Sequence, residues 1–131
     1  MATDYSKKDL TNIIIAEGDT PQISFQLIDS TETGIPLGSV NTMTLTIYEE
    51  NSLSIINSMQ DVDIKNTNNG TLDGSGNVVY TIQTGDTAIV GPRTREQSVE
   101  IHVFQFKFVY NTTRQLTQEI LVAIRNLPLV T

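Results

Sequence analysis

His102 is the only histidine in the chain, so any imidazole chemistry must run through it alone. It falls in a row of alternating aromatic residues. A hydrolytic triad needs such a ring beside a nucleophile and a carboxylate, and no nucleophile elbow or strand-to-helix turn accompanies it. The sequence therefore places His102 in the core or at its rim. The carboxylates are dispersed: Glu49 and Glu50 sit in a turn, and Glu96 and Glu100 flank a long strand. Glycoside hydrolysis uses two acids at a set separation in space, which sequence spacing leaves open, and these acids read as solvated. Asp61, Asp63 and Asp73 give one segment the oxygen-rich look of a calcium loop, but Lys65 occupies a ligand position and no glutamate closes it. Asn111-Thr112-Thr113 matches a glycosylation sequon and reads as hairpin-turn chemistry. No glycine-rich phosphate loop follows a strand and opens a helix. Cysteine is absent, which excludes disulfides and thiolate metal sites, and tryptophan is absent, which leaves Tyr5, Tyr48, Tyr80 and Tyr110 as the stacking surfaces for a sugar. The residues thus point to no catalytic group, no cofactor and no metal.

Charge narrows the partners. At net charge −7 with only eight Lys and Arg in 131 residues, the chain lacks the basic face that nucleic acid or an anionic membrane requires. Charged residues make up 18% of the sequence, so Thr, Asn, Gln and Ser carry much of the surface polarity and suit extended hydrogen-bonded contacts. The N-terminal residues lack the apolar run of a signal peptide, and no segment has the length of a membrane helix, so synthesis and use without Sec export are expected.

The elements that must position these residues are strands. Ser98 to Arg125 reads as a long β-hairpin. His102, Phe104, Phe106, Phe108 and Tyr110 share one face of its first arm, and Leu116, Gln118, Ile120, Val122 and Ile124 share one face of its second. A three-residue loop, Asn111 to Thr113, sets the two rows opposite each other, whereas a two-residue loop would turn one outward. Upstream, Asn12–Ala16 and Gln22–Asp29 read as strands, the latter with Ile23, Phe25 and Leu27 on one side. Asp29–Gly38 reads as loop. Thr42–Glu49 alternates, and a turn at Glu49 to Asn51 would set Leu53 and Ile55 across from Ile47 and Leu45 in a second hairpin. Asp61–Ile64 reads as a short edge strand, Asn66–Asn77 as a projecting polar loop, and Val78–Thr84 as a strand with Val78, Tyr80 and Ile82 inward. The segment through Gln97 is expected to cross between sheets. Gly-Asp-Thr occurs at Gly18 and at Gly85, with flanks that do not match as a repeat.

Seven or eight short strands with no long amphipathic helix predict an all-β fold, a single immunoglobulin-like antiparallel β-sandwich over residues 11–131, with a closed barrel as the alternative. Residues 1–10 carry mixed charge without a period and read as an N-terminal arm that docks on a neighbour.

Ala16-Glu17-Gly18-Asp19-Thr20 leading into Ile23 to Asp29, the Gly-Pro loop, the Met43 to Ile47 strand, and the closing aromatic strand, polar turn and Thr117 to Ile124 together resemble the N-terminal modules of phage baseplate upper proteins and related immunoglobulin-like virion domains. Asp86-Thr87-Ala88 is similar to an immunoglobulin corner without its tyrosine and cysteines. The resemblance implies a non-enzymatic structural protein of a tailed-phage virion, in the tail, neck, baseplate or capsid surface. Such a protein would be made in the host cytoplasm and would contact other virion proteins and copies of itself. It carries over no site residues. The rival expectation is a small carbohydrate-binding or host-adhesion sandwich that uses an exposed tyrosine and the Asn66–Asn77 loop.

Overall fold

The computed structural model describes residues 5–28, 31, 33–89 and 99–125, the first ten of them by backbone alone. Its strands are β1 (Tyr5–Ala16), β2 (Gln22–Gln26), β3 (Val40–Glu49), β4 (Val62–Asp63), β5 (Gly70–Leu72), β6 (Asn77–Thr81), β7 (Val99–Tyr110) and β8 (Arg114–Arg125). They form a five-stranded sheet in the order β1-β8-β7-β3-β4 and a three-stranded sheet in the order β2-β6-β5, an all-β, sandwich-like arrangement of two sheets.

The β7–β8 hairpin is central, and its register is the one the alternating rows require. Phe108 pairs with Leu116, Phe106 with Gln118, Phe104 with Ile120 and His102 with Val122. The loop Asn111–Thr113 holds Asn111 and Thr112 at positive φ, and the Asn41 side-chain oxygen accepts the Thr112 N–H at 2.8 Å. Phe104, Phe106 and Phe108 are fully buried. They meet the second sheet through rings: Phe25 lies edge-on to Phe106 at 5.0 Å and to Phe108 at 6.1 Å, and Tyr80 packs on Phe104 and Phe106 at 6.3 and 6.2 Å. Edge-to-face pairs add roughly 0.5–1.5 kcal/mol each beyond the area they bury. Met43, Leu45 and Ile47 of β3 and Val78, Tyr80 and Ile82 at β6 complete this core.

Several elements differ from the sequence reading. The first strand begins at Tyr5, so residues 5–10, expected as arm, are strand, and β1 runs parallel to β8. The fold is therefore mixed and not wholly antiparallel. The outer edge of β8 would otherwise present unpaired backbone groups, and a parallel partner satisfies them as well as an antiparallel one. The segment expected to be a projecting loop contains β5, whose Leu72 is 3% exposed. Gly70 makes this possible, because a Cβ there would lie 2.3 Å from the Ile64 carbonyl oxygen. Beyond it Gly76, at φ +84°, passes so close to Leu27 that a Cβ would sit 2.7 Å from its carbonyl oxygen. The second hairpin is reduced to a bridge between Tyr48 and Ile55, three residues off the expected register, and Leu53 lies in the turn, 66% exposed. Residues 37–39 form a 3-10 turn within the expected loop. Asp29, Ser98 and the crossover at 90–98 lie outside the described residues.

Candidate functional site

Among the described residues, buried ionisable groups gather where the 3-10 turn Thr84–Thr87, which follows β6, meets His102 of β7 in the other sheet. Asp86 and His102 are both fully buried. Asp86 Oδ2 accepts the Tyr80 hydroxyl at 2.5 Å and the Gln83 N–H at 2.9 Å, while Oδ1 accepts the Asn57 amide at 2.9 Å. Three donors thus offset the desolvation of one carboxylate, as a buried anion requires. Burial, then the bond to Asp86 and its negative charge, push the Tyr80 hydroxyl far above the ordinary tyrosine value.

His102 contacts the same turn from the five-stranded sheet. Its Nδ1 is 2.9 Å from the Asp86 carbonyl oxygen, and Nε2 is 2.6 Å from Glu100 Oε1. A carbonyl oxygen only accepts, so the network assigns a hydrogen to Nδ1, and Nε2 faces the Glu100 carboxylate. Both nitrogens are therefore committed. Thr87, the nearest hydroxyl of this turn, accepts the Gly18 N–H at 2.7 Å and donates to the Thr84 carbonyl at 3.1 Å. The arrangement lacks a free nucleophile and a free base. It joins the three-stranded sheet through Tyr80, the five-stranded sheet through His102 and the end of β1 through Gly18. The two Gly-Asp-Thr tripeptides, unrelated as a repeat, meet here. In sequence Asp86-Thr87-Ala88 reads as an immunoglobulin-like corner without its tyrosine, whereas in the structure Asp86 is the centre and takes the hydroxyl of Tyr80, six residues before it. The available signal was Tyr80 at an inward position just ahead of an aspartate in a tight turn.

At the far end of β3, Glu49 is 6% exposed and organises the turn that follows. Its Oε2 accepts the Asn51 N–H at 2.9 Å and its Oε1 the Ser52 N–H at 2.8 Å. Burial opposes ionisation, but these N–H groups, the Ser52 hydroxyl and the nearby His102 outweigh it and hold the Glu49 carboxyl below its ordinary value. Glu49, expected to be solvated, is thus structural.

The acids of the calcium-like segment fold into local turns. Asp63 Oδ1 accepts the Lys65 N–H, and the Asp73 carboxylate accepts N–H groups of Ser75 and Asn77 and the Asn77 amide. Those bonds, led by the Asn77 amide, lower the Asp73 pKa. Among the described residues no group of three His, Asp or Glu is placed to hold a metal ion. Of the four tyrosines, Tyr80 and Tyr110 are in the core, Tyr48 donates to Glu119 Oε2 at 3.2 Å, and the Tyr5 side chain lies outside the described residues.

A polar outer surface remains. On the face of the five-stranded sheet turned away from the aromatic core, Thr44, Lys107 and Thr117 lie side by side across three strands, and Thr46, Gln105 and Glu119 form the next row. All six are partly exposed. Glu119 Oε2 accepts both the Tyr48 hydroxyl and the Gln105 amide, the latter at 3.0 Å, so the second row is bonded across the sheet. The sequence matches no protein-family model and no curated protein.

Proposed function

We propose that the chain is a non-enzymatic structural subunit of a tailed-phage virion that works through protein–protein contacts with other virion proteins and with copies of itself. The observation that carries this reading is the partly exposed polar outer face built on Thr44, Thr46, Gln105, Lys107, Thr117 and Glu119, with Gln105 bonded to Glu119 across two strands. Gln105 and Glu119, already held to each other, lose little freedom on contact, and a face of hydroxyls, amides and single charges suits many weak hydrogen bonds. The buried histidine supports the non-enzymatic part, because both ring nitrogens are spent inside the fold. The resemblance of the opening and closing strands to phage modules supplies the setting, a particle assembled from proteins made in the host cytoplasm. A sugar platform would need an exposed tyrosine, and Tyr80 and Tyr110 are inside the core.

Quantitative mass spectrometry of purified particles tests the proposal. Many copies per particle are expected. A chain found only in the soluble fraction of the lysate, or glycan-array binding by the isolated chain, would overturn it.

A further inference from the structure

β1 is held in two separate pieces. Tyr5–Leu10 pair with Thr117–Val122, and Ile14–Ala16 pair with Ala123–Arg125, with the register broken between Leu10 and Ile14. On β8 the partners Val122 and Ala123 are consecutive, so Thr11, Asn12 and Ile13 are slack in the ladder. The second piece is anchored beyond its own pairing: the Glu17 N–H donates to the Arg125 carbonyl at 2.9 Å, and the Gly18 N–H to Thr87 Oγ1. Among the described residues the first piece is the terminal strand of its sheet, with β8 on one side and no strand on the other.

We propose that residues 5–10 are an exchangeable strand, which leaves β8 of its own chain and pairs in the same parallel register with Thr117–Val122 of a second copy. This deepens the assembly reading and rests on it. Exchange replaces each main-chain hydrogen bond by an identical one, so the balance between the two states is set by the concentration of copies and not by new contacts. Three slack residues supply about 10 Å of reach when extended. Charge favours another copy of this chain as the acceptor: residues 5–10 hold two lysines against one aspartate in a chain of net charge −7, and Lys7 comes opposite Glu119 in the register. An acidic body repels its copies, and this strand is a short segment of opposite sign.

Because the chain has no cysteine, two single variants decide the matter. Tyr5 and Thr117 are register partners. Tyr5→Cys and Thr117→Cys proteins, each verified as folded by circular dichroism, are mixed at high concentration, oxidised and resolved on a non-reducing gel with a mass tag on one of them. Exchange predicts a mixed disulfide dimer forming several-fold faster than either homodimer. A mixed dimer no faster than the homodimers, while the double variant closes its disulfide within one chain, would overturn the proposal. Particle copy number is measured independently, so exchange can fail while the assembly reading stands.

Discussion

Phe106 lies at the crossing of the two sheets, fully buried and within ring contact of Phe25 and Tyr80. Phe106→Ala is expected to lower unfolding free energy by about 3–5 kcal/mol in a urea titration, the range for deleting a buried ring. Its burial was legible from alternation alone, since a strand with aromatics at every second position must turn them to one side. Asp86 was not legible in the same way. Its place depends on Asn57 converging with Tyr80 and Gln83 from a separate segment, and no periodicity records such a meeting. Tyr80→Phe removes one of its three donors and is expected to cost about 1–3 kcal/mol, the range for leaving a buried acceptor short of a partner. The Tyr80 hydroxyl titrates above its ordinary value of 10.0 in the folded state, so its contribution is complete below pH 10 and fades as pH rises further. Urea titrations across that range should show an alkaline loss of stability that Tyr80→Phe reduces. Glu49 has the opposite sign. Its carboxyl is held below the ordinary value of 4.5, so its contribution is present above pH 4.5 and is lost as pH falls through the lowered value. Glu49→Gln should flatten the acid limb of the stability profile.

At the scale of elements, the β7–β8 hairpin depends on its loop having three residues. Deleting Thr112 should give a two-residue connection that turns one row of the hairpin outward, and the expected result is loss of cooperative thermal unfolding. The hairpin and β3 were readable because each buries a row at period two. β5 was hidden because Leu72 is its single large apolar residue, and the strand is made possible by Gly70 passing against Ile64. Gly70→Ala should therefore destabilise the fold even though alanine is the smallest side chain available, as measured by its urea midpoint. The start of β1 was hidden for another reason. Residues 5–10 show no apolar alternation, and their place follows from the free edge of β8, which belongs to a strand more than a hundred residues away in sequence.

The molecule puts Phe104, Phe106, Phe108 and Tyr80, its histidine and its best-shielded described carboxylate into the seam between two sheets, and leaves outside a partly exposed face of threonine, glutamine, lysine and glutamate. In the proposed assembly, the protein acts by surface and repetition, with residues 5–10 of β1 as its exchangeable edge. The overall class was legible from strand count and turn residues, whereas the working face was not, because polar residues on the outer side of a strand carry no signal that separates contact from solvent. The most direct test is a particle map at a resolution that traces side chains. The account predicts several copies of this sandwich, each with Thr44, Thr46, Gln105, Lys107, Thr117 and Glu119 covered by a neighbouring subunit. Copies whose outer sheet faces open solvent, or particles that lack the chain, would contradict it.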